Sequence, residues 1–382
     1  MRILSVALRD FRSYAEAEAS FGPGLTVITG PNGAGKTNLV EALYFGCTGR
    51  SCRTSNEREV VRFGAPAARV VVRAESDTGA HELSVGFAPG QPKRMKADGA
   101  AVERLVDVAE RPLMSVFLPD RLELVKGAPS LRRAHLDQFL AALWPARERT
   151  RRVYAQALAQ RNALLARVRA QQSARATLAS WDIQLARHGI ALMTDRREAL
   201  ELLAEPFTRI AQAIGLDGAA TIAYRPRVKA ATAEELAAEL AERLDSDLER
   251  GFTGHGPHRD DVSTTLDGRE LRAYGSQGQQ RLALLAWLLA ERETLAARRD
   301  APPVMLLDDV MSELDGRRRA ALVELLRAGG GQSVITATDL SHVPGSEAAD
   351  VQRIAVQAGP DHPALAIDPA AALQAADPSL AR

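Results

Sequence analysis

Apolar residues recur along this chain with two different periods. Short alternating or continuous apolar runs bounded by Gly and Pro predict strands. Spacing of three and four residues, with few Gly or Pro, predicts helices in the middle of the chain. The predicted strands cover residues 3–8, 25–29, 70–74, 82–87, 262–266, 304–307 and 333–337, and the predicted helices cover 131–143, 146–169, 178–203 and 233–250.

This order of elements predicts an α/β fold that is built from both ends of the chain. We expect a head with a mixed β-sheet, formed by residues 1–120 and 255–360. A helical arm domain at residues 121–254 splits this head in sequence. Residues 361–382 are rich in Pro and Ala and predict a disordered tail.

The composition is that of a globular protein and excludes several classes. With 382 residues, 46% of them hydrophobic and 25% charged, wholesale disorder is excluded, and the net charge of +1 excludes a globally basic coat. The longest apolar run, 282–290, is far shorter than the ~20 residues of a membrane span. Only two cysteines occur, Cys47 and Cys52, which favours reduced thiols and a cytoplasmic location.

Residues 30–37 form the pattern G-x-x-x-x-G-K-[ST], which is typical of a phosphate-binding loop. The predicted strand 25–29 precedes it and a plausible helix, 38–45, follows, whereas an ordinary Gly-rich turn is the alternative. Glycines let backbone amides wrap around a β-phosphate, while Lys36 would neutralise the phosphates and Thr37 would ligate Mg²⁺. The predicted ATP-binding residues of the loop are Gly30, Pro31, Asn32, Gly33, Ala34, Gly35, Lys36 and Thr37.

The apolar run 304–307 ends in Asp308 and Asp309. A buried parallel strand has this pattern, and α/β sheets bind ligands at the carboxyl ends of such strands. We expect Asp308 to hold Mg²⁺ together with Thr37, and Asp309 to orient or deprotonate the attacking water. Lys36 and Asp309 are accordingly the predicted catalytic residues. Strands that end in acids are common, so this interpretation depends on the phosphate loop.

The third motif is Ser276-Gln277-Gly278-Gln279, which precedes an apolar helical run. An S-x-G-Q sequence before a helix resembles the signature of ABC-type ATPases. Ser276, the Gly278 amide and Gln279 would stand at a helix N-terminus, whose free N–H groups suit a γ-phosphate. In that superfamily the signature caps the nucleotide of a second molecule, so the resemblance implies an ATP-dependent homodimer. An ordinary serine N-cap is the alternative.

Three positions depart from the usual ABC pattern and predict slow hydrolysis. Thr338 follows the strand 333–337, where the superfamily usually has a histidine. Segment 117–120 lacks the usual glutamine, and Asp309 stands in place of a longer Glu. Residues 312–315, in contrast, resemble the D-loop that lies across the dimer interface in this superfamily.

Further blocks are similar to those of the RecF family and of SMC-like ATPases. They are L-R-D-F-R-S-Y at 8–14, G-R-S-C-R-T at 49–54, K-G-A-P-S-L-R-R at 126–133 and G-P-H-R-D-D at 256–261. The resemblance covers nearly the whole chain except the tail and implies an ABC-type ATPase head. It also implies that Arg12 and Arg50 contact the nucleotide, with two solvated arginines as the alternative.

The same resemblance implies an ATP-dependent DNA-binding recombination mediator in DNA repair and replication. ATP binding would drive homodimerisation and DNA clamping, and slow, DNA-stimulated hydrolysis would release the DNA. RecR and RecO would be partners in loading RecA at single-strand gaps. The alternatives are a short SMC-like DNA-bridging ATPase, which needs longer coiled coils, and a transporter ATPase subunit, which needs the histidine and glutamine that are missing here.

Charge is unevenly distributed within the predicted arm. Residues 131–175 hold ten arginines against two acids, a net +8, whereas residues 233–250 hold seven acids against two arginines. A basic helical face without stacking aromatics predicts sequence-independent contacts with duplex phosphates. A solvated helix face is the alternative.

Overall fold

A computed structural model of the chain describes residues 1–118, 122–299, 302–357, 359 and 364–367. Two compact units divide it: Met1–Arg121 with Leu295–Arg382, and Leu122–Thr294. The second unit therefore includes residues 255–294, which the sequence placed with the head. The reason is a long-range strand pairing, in which residues 261–266 pair with residues 220–225.

One sheet of the first unit is antiparallel, with strand order β2-β1-β4-β5-β6-β7. Alternation in β4 puts Val70 and Val72 on the buried face and Arg69 and Arg73 on the exposed face. The helix α1 packs on the buried face so closely that a Cβ atom at Gly46 would lie 2.5 Å from Val72 Cγ2. The strands are β1 (Arg2–Phe11), β2 (Tyr14–Ser20), β4 (Ala68–Ser76), β5 (Gly79–Phe87), β6 (Arg94–Ala97) and β7 (Ala100–Val102), and α1 is Lys36–Thr48.

The other sheet of the first unit is mixed, with strand order β15-β14-β3-β13-β12-β8. Five neighbouring strands run parallel and β15 runs antiparallel to β14. The carboxyl ends of the parallel strands therefore meet at one edge. The elements are β3 (Leu25–Thr29), β8 (Met114–Phe117), β12 (Val304–Leu307), β13 (Ser333–Ala337), β14 (Gln352–Gln357), β15 (Ala364–Ile367) and the helix α10 (Gly316–Ala328).

Helices dominate the second unit, where a small antiparallel sheet has the order β11-β10-β9. Its longest helix, α5, has 36 residues and is about 54 Å long. The elements are α2 (Glu123–Lys126), α3 (Pro129–Leu143), α4 (Glu148–Arg169), α5 (Leu178–Ala213), β9 (Ala220–Arg225), α6 (Ala233–Glu242), α7 (Leu244–Arg250), β10 (Asp261–Leu266), β11 (Arg269–Glu270), α8 (Leu271–Tyr274) and α9 (Gln277–Arg299), the last of which extends past residue 294.

The predicted strands 25–29, 304–307 and 333–337 are confirmed to the residue. The predicted helix 233–250 is instead two helices that meet at Arg243. Most of the predicted disordered tail, 361–382, lies outside the described residues, but Ala364–Ile367 forms a strand. Among the helices that the structure describes, none has the length and hydropathy to cross a membrane.

Candidate nucleotide-binding site

The loop between β3 and α1 is built from glycines that adopt left-handed backbone angles. The φ angles are 149° at Gly30, 79° at Gly33 and 111° at Gly35, and residues that carry a side chain rarely adopt such positive values. A Cβ atom at Gly30 would also lie 2.2 Å from the Val356 carbonyl oxygen on β14. The neighbouring strand thus leaves no room for a side chain, and the backbone can curve around a small anion at the N-terminus of α1.

Lys36 opens α1 and is folded back into the loop. Its side chain donates hydrogen bonds from Nζ to the carbonyl oxygens of Gly30, at 2.7 Å, and Pro31, at 3.0 Å. Burial lowers the pKa of Lys36, while the charges of Asp309 and Asp308 act in the opposite direction. The ammonium group is therefore held inside the loop, within the field of two carboxylates.

Asp308 follows β12 and is 4% exposed. Thr37 Oγ1 donates to its Oδ2 at 2.8 Å, and Thr336 Oγ1, on β13, donates to its Oδ1 at 2.7 Å. Burial raises the pKa of Asp308, the charge of Asp309 raises it further, and the two hydroxyls and Arg53 oppose the shift. A buried carboxylate bonded by neutral hydroxyls is a hard oxygen ligand of the kind that Mg²⁺ prefers.

Asp309 has an unusual backbone conformation, with φ at 47° although it is not glycine. Its amide donates to Thr336 Oγ1 at 2.8 Å, and its carbonyl accepts a hydrogen bond from Ser312 Oγ at 2.9 Å. Such strain costs roughly 1–3 kcal/mol and persists where surrounding contacts hold it. The structure thus brings the loop, Lys36, Thr37, Asp308 and Asp309 together at the carboxyl edge of the mixed sheet.

The predicted arginines behave differently from one another. Arg12 donates from Nε and Nη2 to both carboxylate oxygens of Glu41, at 2.8 and 2.7 Å, and Glu41 on α1 is fully buried. Arg50 is exposed, and the described residues offer its side chain no hydrogen bond or ion pair. Arg53, which the sequence did not single out, bonds Glu41 at 3.2 Å and Asn38 Oδ1 at 3.0 Å. The charge of Arg53 also lowers the pKa of Asp308, so it belongs to the electrostatics of the site.

The signature residues lie in the second unit and cap α9. Ser276 Oγ accepts a hydrogen bond from the Gln279 amide at 3.2 Å, and Gln279 Oε1 accepts one from the Ser276 amide at 2.9 Å. Ser276 and Gly278 are exposed. The serine N-cap is therefore present, and its reciprocal pairing with Gln279 leaves other amides of the first turn available to an anion.

The remaining motif positions have local partners as well. Thr338 Oγ1 lies 3.2 Å from His342 Nδ1, so a histidine stands beside the position where the sequence lacks one. Asp315, in the segment that resembles a D-loop, caps α10 by accepting a hydrogen bond from the Arg318 amide at 3.0 Å. Pro119 and Asp120, in the segment without the usual glutamine, lie outside the described residues.

The basic arm is less available than its charge suggests. Arg132 bonds Asp261 through two nitrogens, at 2.7 and 2.9 Å, and the fully buried Arg161 bonds Asp182 and Asp247. Five of the ten arginines bond carboxylates in this way, namely 132, 147, 152, 161 and 175, and Arg133 donates to the backbone carbonyl of Asp260. The other four, Arg149, Arg151, Arg167 and Arg169, are exposed, without a hydrogen bond or ion pair to the described part of the chain.

Comparison with known proteins defines the class to which this fold and site belong. The model of the RecF/RecN/SMC N terminal domain matches residues 2–358. A solved SMC head bound to the C-winged helix domain of ScpA is 14% identical, has a TM-score of 0.59 and covers 96% of this chain, with 98% of its own length matched. The fold is that of an ABC-type ATPase head.

Closer relatives specify the family within this class. The DNA replication and repair protein RecF of Myxococcus xanthus is 40% identical over 369 residues, covering 94% of this chain and 96% of its own. That of Acetivibrio thermocellus is 34% identical over 368 residues, covering 94% and 99%. The solved recombination mediator protein RecF-ATP in the RecFOR pathway is 28% identical with a TM-score of 0.84, covering 96% and 97%. The chain belongs to the RecF family.

Proposed function

We propose that this protein is an ATP-driven switch that binds DNA during replication and repair. Its curated relatives are named DNA replication and repair proteins, and a solved relative is named as a complex with ATP. The proposal rests on one observation: Lys36, Thr37, Asp308 and Asp309 lie together at one edge of the mixed sheet.

Each residue of this edge has a role in holding the nucleotide. The amides of residues 30–36 would bind the β-phosphate, and Lys36 would exchange its bonds to loop carbonyls for bonds to phosphate oxygens. Thr37 and Asp308 already form an adjoining pair of oxygen donors, and both would hold Mg²⁺. That ion would supply neutralisation of charge on the phosphates.

Asp309 is the residue that we assign to the attacking water. Hydrogen bonds to Thr336 and Ser312 fix the backbone of Asp309. The position of its half-buried side chain is therefore determined by the fold. An aspartate reaches one methylene less far than a glutamate, and misplacement of about 1 Å can lower a rate about 100-fold. We therefore propose weak, DNA-stimulated ATPase activity that resets a switch.

A second copy of the chain would complete the site. Ser276, Gly278 and Gln279 are presented at the exposed N-terminus of a 23-residue helix, where amides and the helix dipole favour an anion. We propose that they bind the γ-phosphate held by the partner copy, so that ATP drives homodimerisation. Arg12 and Arg53, both anchored on Glu41, would complete the charge balance around the phosphates, and Arg50 would contact the nucleotide from the exposed rim.

DNA would be held by the dimer without sequence preference. The four arginines of the arm that have no partner among the described residues suit duplex phosphates, because contacts with the backbone carry no base information. By family membership, RecR and RecO are the proposed partners, and loading of RecA at gaps is the proposed outcome.

The experiment tests whether two copies share each site. Purified Ser276→Arg and Lys36→Met proteins are measured alone and mixed, with ATP, by light scattering coupled to size exclusion. Each variant alone should remain monomeric, whereas the mixture should form dimers, because a mixed dimer retains one intact composite site. Ser180→Arg, an exposed position on α5, is the matched control and should dimerise normally. ATP-dependent dimers of either variant alone would contradict the shared site.

A further inference from the structure

The exposed face of the antiparallel sheet carries a row of cations that crosses four strands. Arg9 on β1 is directly opposite Arg69 on β4, Arg69 is opposite Gly86 on β5, and Gly86 is opposite Arg94 on β6. Directly paired residues share a face of the sheet, and Lys96, two residues beyond Arg94, shares it too. Arg9, Arg69, Arg94 and Lys96 are called here the sheet stripe.

The stripe is not explained by internal pairing. All four side chains are exposed, and none bonds a carboxylate in the part of the chain that the structure describes. Like charges directly opposite each other, as in Arg9 and Arg69, destabilise a sheet. By contrast, Arg73, on the same face, is paired with Glu82 at 3.5 Å. Arg9 is also directly opposite Glu16 on β2, so the charge without an acidic partner among the described residues is that of Arg69, Arg94 and Lys96, and it points to an anionic ligand.

The surface around the stripe is hollow, because short side chains occupy the positions between the cations. Ser84, Gly86 and Ala67 line a groove of about 460 Å³ together with Arg69, Arg94 and Lys96. A second hollow of about 270 Å³ shares Arg69 with the first and is lined by Arg9 but also by the acids Glu16, Glu18 and Glu82, so the first groove is the more cationic of the two. With strands about 4.8 Å apart, the stripe extends about 14 Å across the sheet, which is wide enough for a few consecutive nucleotides of one strand.

An aromatic side chain lies at the same end of the sheet. Phe63 is 99% exposed, at the tip of a turn that precedes β4 by four residues. Arg62 fixes this turn, because its amide donates to the Asp10 carbonyl at 2.8 Å and its Nε donates to Asp10 Oδ1 at 2.7 Å. Asp10 is adjacent to Arg9, so the turn and the stripe share one end of β1. An exposed aromatic side chain on a turn that is held by hydrogen bonds offers a platform on which a base can stack.

We propose that the sheet stripe and Phe63 bind single-stranded DNA, with the stripe on the phosphates and Phe63 stacked on a base. The inference rests on the proposed DNA binding and adds a path for one strand that is separate from the duplex contacts of the arm arginines. A cationic groove combined with an aromatic platform is the arrangement that accepts single strands regardless of sequence.

The test compares single-stranded and duplex DNA at saturating ATP. Arg69→Gln, Arg94→Gln and Lys96→Gln are combined, and binding of a fluorescent oligothymidylate and of a random-sequence duplex is followed by anisotropy over a salt series. The single-strand log–log salt slope should fall by about 2, at about 0.7 per lost contact, while the duplex slope stays unchanged. Phe63→Ala should weaken single-strand binding about fivefold to 150-fold without changing the slope.

The matched control removes three exposed arginines that are already paired with acids. Arg2, Arg104 and Arg327, paired with Glu75, Asp107 and Asp350, are changed to Gln and should leave both slopes unchanged. An unchanged single-strand slope in a folded, ATP-binding stripe variant would overturn the inference and leave DNA binding by the protein intact. An equal fall on duplex DNA would overturn the single-strand assignment. Failure of the unmodified protein to bind either DNA would overturn this inference and the proposed function together.

Discussion

Asp308, beside the phosphate loop, and two acids inside the helical unit, Asp182 and Asp247, are buried to a similar degree but have different partners. Asp308 is bonded by the hydroxyls of Thr37 and Thr336, and its pKa is raised. Asp182 and Asp247 are both bonded by the guanidinium of Arg161. A buried acid that is bonded only by hydroxyls can still bind a metal cation, whereas an acid that is already paired with an arginine contributes to the stability of the fold.

The same distinction separates the arginines. Those of the helical unit's interior, such as Arg132 and Arg196, bind aspartates through two nitrogens and are almost fully buried. Those of the sheet stripe and four of the arm are exposed and unpaired within the described ranges. Charge counted along the sequence does not separate the two kinds, because the interior arginines pair with acids that are 21 to 129 positions away.

The largest expected effect tests the structural side of this comparison. Arg161→Met should lower the free energy of unfolding by about 3–5 kcal/mol, because it leaves Asp182 and Asp247 buried without a counter-charge. Urea unfolding followed by circular dichroism measures the change. Arg167→Met, exposed on the same helix, should stay within about 0.5 kcal/mol of the unmodified protein. Equal stability of the two variants would show that the buried arginine is not a structural anchor.

A half-buried histidine, His258, tests whether the helical unit tolerates a charge without a counter-ion. Tyr154 OH lies 2.7 Å from His258 Nδ1, and His258 Nε2 lies 2.9 Å from the Thr253 carbonyl, so the neutral ring fits this environment. Burial lowers the pKa of His258 to about 4, below its unfolded value of about 6.5. The unfolded chain therefore binds more protons between these pH values. Stability should be complete above pH ~6.5 and should fall by about 3 kcal/mol towards pH ~4.

Urea unfolding at several pH values checks this expectation. Since other groups also titrate in this range, the informative quantity is the difference between the unmodified protein and His258→Gln. That difference should change by about 3 kcal/mol between pH ~6.5 and pH ~4 and should be constant above pH ~6.5. A difference that does not depend on pH would show that His258 can be charged within the fold.

The sequence predicted the strands that bring the phosphate loop and Asp308 to one edge of the mixed sheet, because the signals of those strands are local. An apolar run that ends in glycines or acids specifies a strand and its carboxyl end within a few residues, as in β3 and β12. The hydrogen bonds of Thr336 could not be predicted, because they depend on β13 lying beside β12. The ion pairs of Glu41 and Arg53 were not predicted either, because a charged residue on a predicted helix or loop is usually solvated.

The boundary of the helical unit could not be predicted for a related reason. β10 pairs with β9 across 35 intervening residues, and local periodicity carries no information about such pairing. Asp260 and Asp261 end the G-P-H-R-D-D block at 256–261, and Tyr224 and Arg132 bond them inside the unit. Acids next to glycine and proline can therefore belong to a core as readily as to a site.

On the functional side, Lys36→Arg should have the next largest effect. The ammonium of Lys36 fits between the carbonyl oxygens of Gly30 and Pro31, and the planar guanidinium has a different shape and reach. We expect about a 100-fold loss of ATP turnover and loss of ATP-dependent dimerisation, with unchanged thermal stability. Steady-state phosphate release and light scattering measure the two activities. Lys93→Arg, which changes a lysine paired with Glu57, is the control, and normal turnover in Lys36→Arg would contradict the site.

The smallest expected effect compares two pairs of arginines on the same arm that differ in their partners. Arg147 is bonded to Asp195 and Glu198, and Arg152 to Glu148, whereas Arg149 and Arg151 are exposed and have no such bonds to described residues. Arg149→Gln with Arg151→Gln should lower the log–log salt slope of duplex binding by about 1.8, because each phosphate contact contributes about 0.9.

The other double variant, Arg147→Gln with Arg152→Gln, removes the same charge but should change the salt slope of duplex binding much less. These arginines would have to break their ion pairs with carboxylates before they could bind phosphates. Its stability should fall by no more than about 1 kcal/mol per exposed pair. Both measurements need saturating ATP and a separate check of dimerisation, because a dimer presents twice the arginines. Equal slopes for the two variants would mean that ion pairing in the folded chain does not determine which arginines bind DNA. The difference between paired and unpaired arginines would then affect stability alone.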